Sequence, residues 1–245
     1  MSLPSTGLAV DYVLAVDPGY ATQGICVIDK TGKIREFLST VTTASVGVHM
    51  RALWQIWQVK KVMMNYGPNC LLVMEEFHAG ASSKASPTSV YNRGWYDGLF
   101  REHIGPLVAH SITAHNSAVW NFSEPMRAHK VVNGKKKWAK PTAEEILRYC
   151  FRLWSWLQPQ EPNPLDYWYR IENRPRVDGK LDSIESKDKS KMHATDALVM
   201  CCMGYVACLH PEFIFRCTEK QRKWIMQVHE AYQFENQYTQ KAGVR

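Results

Sequence analysis

Residues 13–28 read Val-Leu-Ala-Val-Asp-Pro-Gly-Tyr-Ala-Thr-Gln-Gly-Ile-Cys-Val-Ile, and no other stretch of the chain constrains its fold as strongly. An apolar run suited to a buried strand ends on a carboxylate, Asp17. Pro18-Gly19 then turns the chain, and a second apolar run follows at once. With the Asp29-Lys30-Thr31-Gly32 turn and the run over 33–40, this predicts a meander of three antiparallel strands at 12–16, 24–28 and 33–40. Residues 45–67 carry apolar side chains near helical spacing and stop at Gly67-Pro68. The run 69–77, Asn-Cys-Leu-Leu-Val-Met-Glu-Glu-Phe, suits a strand buried on both faces, and it too ends in carboxylates, Glu75 and Glu76.

Further along, 88–104 reads as a helix and 105–114 as a strand. Thr142, three residues before Glu145, is a capping-box signature for a helix over 141–157. A core helix covers 190–209, and a short helix opens at Thr218 with Gln221 as its capping partner. Between the 141–157 and 190–209 helices, 158–189 is polar and irregular, with Pro159, Pro162 and Pro164 near its start, and reads as a long loop or lid. This order predicts the α/β class: a mixed five-stranded sheet with helices on both faces. One domain spans 8–209 with the 158–189 insertion, and 210–245 forms a helical extension.

Composition narrows the partners. The chain has 245 residues, 45% hydrophobic and 22% charged, a balance that excludes a disordered chain. The formal net charge of +7 favours a polyanionic partner, nucleic acid first. Seven cysteines, an odd number with no Cys-x-x-Cys pair, read as reduced thiols in the core. Cys201, Cys202, Cys208, His210 and Cys217 match no common zinc spacing. No run of about 18 apolar residues suggests a membrane span, and no leader precedes the first strand, so a cytoplasmic location is expected.

Asp17, Glu75, His193 and Asp196 are the candidate site. Taken singly each has an ordinary explanation: Asp-Pro-Gly is a common turn, a Glu pair often caps a strand in solvent, and an Asp near a helix start favours the dipole. Taken together they share a feature, because each sits at the edge of an otherwise apolar element. His193 and Asp196, three apart, lie on one helix face. If the two strands are neighbours, all four groups converge. Clustered carboxylates raise one another's pKa unless a divalent cation neutralises them, and this donor set suits Mg²⁺ or Mn²⁺.

Three segments carry a family resemblance: the hairpin 13–28, Leu-Leu-Val-Met-Glu-Glu-Phe, and Met-His-Ala-Thr-Asp-Ala-Leu-Val-Met at 192–200. In this order the chain resembles the RuvC family of Holliday junction resolvases, of the ribonuclease H-like fold. Gly24 takes the place of the family's second-strand glycine and Glu75 that of its strand-ending glutamate. His193 and Asp196 take the two ligand positions on its acidic helix. The resemblance implies that these four residues are catalytic and bind two Mg²⁺ or Mn²⁺ ions. It also implies a homodimer that cuts opposing strands of a four-way DNA junction. The wedge that many members place three residues after the glutamate falls on His78, with Phe77 one earlier. The chain's size and divergence resemble a viral or phage member.

Lys130, Lys135, Lys136, Lys137 and Lys140, with Trp138 among them and no acid, form a basic segment before the capped helix, a candidate DNA contact. Lys84 and Arg93 are secondary candidates. Three other functions share parts of this pattern. An actin-like or sugar-kinase ATPase also starts on strand-Asp-x-Gly, but carries a second such hairpin that this chain lacks. A non-catalytic DNA-binding relative would have no need of four ligands. A nuclease on flaps, forks or RNA–DNA hybrids keeps the chemistry with another substrate.

Overall fold

In the computed structural model the chain is described over residues 10–19, 21–42, 46–67, 69–76, 87–107, 110–115, 128–132, 134–139, 141–154, 157, 169–173 and 187–241. The expected meander is present as β1 (Tyr12–Asp17), β2 (Thr22–Asp29) and β3 (Ile34–Val41), all antiparallel. Helix α1 (Val48–Tyr66) leads to β4 (Cys70–Glu76), which pairs parallel to β1. Helix α2 (Pro87–His103) leads to β5 (His110–His115), parallel to β4. The expected strand over 105–114 thus begins later, because Gly105–Leu107 forms a turn of 3₁₀ helix first.

Two other segments depart from expectation. The lysine-rich stretch, given no secondary structure from the sequence, is a β-hairpin: β6 (Ala128–Val132) pairs antiparallel with β7 (Lys135–Ala139), turning at Gly134, whose φ is +73°. Such a turn favours glycine. The segment read as a lid contributes β8 (Tyr169–Asn173), parallel to β3. Among the described residues the sheet therefore has six strands, one more than expected, in the order β5-β4-β1-β2-β3-β8.

Three further helices follow. Helix α3 (Ala143–Leu153) opens on the expected box: Thr142 Oγ1 accepts from Glu145 N, and the Glu145 carboxylate accepts from Thr142 N at 2.7 Å. Helix α4 (Lys187–Cys208) is the core helix. Helix α5 (Glu219–Lys241) opens on Thr218 and Gln221 as expected, but at 23 residues it is not short.

Strand periodicity sends alternate residues to opposite faces. Val13 and Ala15 of β1, with Cys26, Leu71 and Val73, pack under α3, α4 and α5. Leu14 and Val16, with Ile25, Leu38 and Leu72, pack under α1 and α2. Helix α4 is nearly enclosed: Leu198, Val199, Met200, Met203 and Val206 are all 1% exposed or less. Burying each such side chain contributes roughly 1.5–3 kcal/mol. All seven cysteines are free and buried. Cys201 and Cys202 are held well above the ordinary thiol range, first by burial, which suits packing groups and not ligands. Antiparallel β3-β2-β1 continued by parallel β1-β4-β5, with helices on both faces, is the expected ribonuclease H-like arrangement. No described helix is long and apolar enough to cross a membrane.

Candidate acidic site at the strand ends

The pairing of β1 with β4 ends at Val16 opposite Met74. One residue later each strand presents a carboxylate, Asp17 and Glu75. Both share the parity of Val13, Ala15, Leu71 and Val73, the residues beneath α4. The two acids therefore leave adjacent strands on the same face, towards the helix that carries His193 and Asp196.

Contact follows. His193 Nδ1 stands 2.6 Å from Asp17 Oδ2, and the Asp17 side chain is 7% exposed. At that distance the ring N–H donates to the carboxylate. Glu75 is pushed up to about 9, first by burial, then by the Asp17 charge and a hydrogen bond with the Asp17 side chain, and then by Asp196. The Arg93 guanidinium pulls the other way. Asp17, Glu75, His193 and Asp196 are thus electrostatic neighbours, although 176 residues separate Asp17 from His193. Among the described residues no three His, Cys, Asp or Glu side chains stand in metal-ligating geometry. The acids manage their repulsion in another way, through a shared proton at Glu75 and an imidazole on Asp17. That is the compensation expected of a cluster whose charge an ion would otherwise balance. Three carboxylates and an imidazole fit a hard divalent cation such as Mg²⁺ or Mn²⁺.

Gly24 is what lets α4 close on the sheet. It pairs with Asp17 in the β1–β2 register. A Cβ added there would lie 1.9 Å from the His193 carbonyl oxygen and 2.7 Å from the Ala194 nitrogen. Both are backbone atoms that cannot yield without moving the helix. The glycine thus fixes how near the His193 turn comes to Asp17.

A second set of residues, on the opposite face, was not evident in the sequence. Gln23, fully buried, donates to the Gln55 carbonyl at 3.2 Å and to Thr40 Oγ1 at 3.4 Å, and accepts from the Tyr96 hydroxyl. Thr40 in turn donates to Gln55 Oε1. Four polar side chains thereby join β2, β3, α1 and α2 beneath the site. Arg93 does not extend to solvent as a surface DNA contact would. Its side chain is 11% exposed, donates to the Glu75 carbonyl at 2.6 Å and to Asp97 at 2.7 Å, and lies over the Tyr96 ring. The Arg93–Asp97 spacing of four on a helix is the one local sign of this arrangement. Gln23 and Tyr96 are 73 residues apart, and nothing local links them.

The expected DNA contacts are only partly within view. Phe77, His78, Lys84 and Lys140 lie outside the described residues. Lys130, Lys135, Lys136 and Lys137 fall on the β6–β7 hairpin, with Lys130 opposite Lys137 and Val132 opposite Lys135, and Lys135 is exposed.

No protein-family model matches the chain, and no curated protein matches its sequence. Solved structures do share its shape at low identity. Thermus thermophilus RuvC in complex with a Holliday junction substrate is 13% identical, with a TM-score of 0.45 over 84% of this chain and 94% of that one. The yeast mitochondrial Holliday junction resolvase Ydc2 is 10% identical, with a TM-score of 0.41 over 96% of this chain and 86% of that one. The human cytomegalovirus terminase nuclease domain, soaked with Mn, is 9% identical at 0.32, over 88% and 89%.

Two outcomes are expected. Gly24→Ala will lower the melting temperature sharply, because the only relief is to part α4 from β2, and circular dichroism melts will measure it. The second concerns pH. Folded Glu75 keeps its proton to about 9, against an ordinary 4.5. Between those values the folded chain binds more protons than the unfolded one, so stability falls as pH rises. Melts in chelator will show this decline, Mn²⁺ will oppose it most at the alkaline end, and Glu75→Gln will flatten it.

Proposed function

We propose that this chain is a metal-dependent endonuclease of the RuvC type that resolves four-way DNA junctions by paired phosphodiester hydrolysis. The observation that carries the reading is the meeting of Asp17, Glu75, His193 and Asp196 from three distant segments at one end of the sheet. Folding alone gives no reason for such a grouping: buried like charges oppose the fold that assembles them.

In this reading Asp17, Glu75 and Asp196 hold two Mg²⁺ or Mn²⁺ ions. His193 donates through Nδ1 to Asp17, which leaves Nε2 as the ring's ligating nitrogen. Ions bound there supply activation of the attacking water and stabilisation of the leaving oxygen. The protein's part is placement. The β1–β4 pairing sets the spacing of Asp17 and Glu75, Gly24 sets the approach of α4, and Arg93 fixes the end of β4 through the Glu75 carbonyl. The β6–β7 hairpin supports a polyanionic substrate. It carries four lysines, Lys130, Lys135, Lys136 and Lys137, and a lysine-rich segment gains from phosphate contact. Two copies acting together would cut opposing strands.

The test is cleavage of a labelled four-way junction in Mg²⁺ or Mn²⁺, beside flaps, forks, linear duplex and RNA–DNA hybrid. Wild type is expected to cut the junction in opposing strands. Asp17→Asn is expected to lose at least roughly a hundredfold in rate, because charge stabilisation by a bound metal is worth several kcal/mol. Equal cutting by both chains would remove Asp17 from the reaction. Cutting confined to another substrate would keep the chemistry and overturn the junction assignment.

A further inference from the structure

Helix α1 is apolar along both of its sides. Ala52, Ile56, Val59, Val62 and Met63 pack on the sheet. Turned away from it are Met50, 54% exposed, Trp57, 60% exposed, and Met64, 74% exposed, each seven residues from the next. Trp54, half-buried, and Lys61, exposed, fall between them. Positions 50, 54, 57, 61 and 64 are separated by four, three, four and three. That is the a/d seam of a coiled coil, with Met50, Trp57 and Met64 at d and Trp54 and Lys61 at a. Apolar side chains scattered singly on a surface need no explanation, but a row about 21 Å long marks a binding surface. The row does not belong to the acidic site. Asp17 and Glu75 face α4, whereas α1 lies on the opposite face of the sheet. It also runs away from the acids. It starts after β3, whose Val41 pairs with Thr22 beside the Asp17 turn, and it ends on Tyr66, which meets Tyr12 at the start of β1 edge-on at 5.0 Å.

We propose that this row docks an acidic amphipathic helix of another protein. The ligand is a helix because a second helix shares the period of the seam and can set an apolar side chain between each pair of these residues. An extended peptide repeats every two residues and meets the row out of step. The sign of its charge follows from α1 itself. Residues 48–66 contain no Asp or Glu, and Lys60 and Lys61 occupy the g and a positions of the seam. A lysine at a sets the register of the partner and gains from a carboxylate opposite it, and a lysine at g pairs with a glutamate at the partner's e position. Trp57, at the middle of the row, is the anchor, since a central aromatic side chain carries the largest share of docking energy. The methionines at either end adapt their shape to what they meet. A second copy of α1 would bring two more lysines and no carboxylate, so the charge favours a different chain. The docked helix leaves the acidic site uncovered, and DNA and partner can be held together.

The experiment titrates a synthetic three-heptad helix into the full chain by calorimetry. The acidic peptide has Leu at a and d, with Glu at e, at g and at the a position opposite Lys61. The basic control has Lys wherever the first has Glu. Wild type is expected to bind one acidic peptide per chain with a micromolar Kd, and to prefer it to the basic control by at least roughly tenfold. Trp57→Glu is expected to abolish this binding with unchanged melting, because the ring lies on the surface. The double variant Lys60→Glu/Lys61→Glu is expected to reverse the preference towards the basic peptide, an outcome that misfolding does not imitate. No binding of either peptide by wild type would overturn the inference, and so would binding that survives Trp57→Glu. Sedimentation showing that Trp57→Glu splits a pair of copies would overturn it by giving the row to the chain itself. Single-stranded DNA that binds wild type and not Trp57→Glu would overturn it by giving the row to nucleic acid.

Discussion

Two parallel strands that each end on a carboxylate, side by side and on the same face, are the constraint from which the rest of this structure follows. Asp17 and Glu75 leave β1 and β4 one residue after their pairing ends, and both point to α4. That places negative charge where burial makes it costly. The chain answers with a proton kept by Glu75, an imidazole N–H given to Asp17, and a guanidinium close enough to lower the Glu75 pKa. Each is a local compensation, and none pays for the whole cluster. A divalent cation would relieve all three carboxylates at once, and a metal-dependent hydrolytic reading starts from that imbalance.

The two faces of the sheet divide the labour. On the α4 face the core is apolar up to the site: Ala194, Ala197, Leu198 and Cys201 are fully buried, and Gly24 lets the backbone at His193 press on β2. On the α1–α2 face, polar groups are built into the core near the same strand ends. Gln23, Thr40 and Gln55 are at most 1% exposed, and Tyr96 is 5% exposed. Buried groups of this kind cost stability unless satisfied, and here each has a partner. Satisfied networks specify one arrangement more sharply than apolar packing does. Because Gln23 adjoins Gly24, the network fixes β2 at the point where the opposite face receives α4. The outer side of α1, with Trp57 and the methionines beside it, is then a surface turned away from both cores.

How much of this could be read in the chain depended on the range of the signal. Strands β1, β2 and β4 were legible because an apolar run closed by a turn or a carboxylate is a local pattern. The starts of α3 and α5 were legible because a capping box spans four residues. Asp17, Glu75, His193 and Asp196 could be singled out because each interrupts an apolar element. Strand β8 was not legible: Tyr-Arg-Ile-Glu-Asn is short and polar, and its pairing with β3 joins Tyr169 to Phe37 across most of the chain. The β6–β7 hairpin was obscured by its charge. Its Asn133-Gly134 dipeptide is a strong turn signal, but the flanking lysines break the apolar alternation that marks strands. The Gln23–Tyr96 contact left no local trace, since a buried glutamine looks like any other until its partners are known.

What occupies the space between the strand ends and α4 decides whether this cluster is a metal centre. The most direct measurement is anomalous X-ray scattering from crystals of this chain soaked in Mn²⁺. Manganese peaks are expected in contact with the carboxylates of Asp17, Glu75 and Asp196, with the Asp17–Glu75 hydrogen bond gone. Manganese bound elsewhere, with that hydrogen bond intact, would contradict a metal centre here.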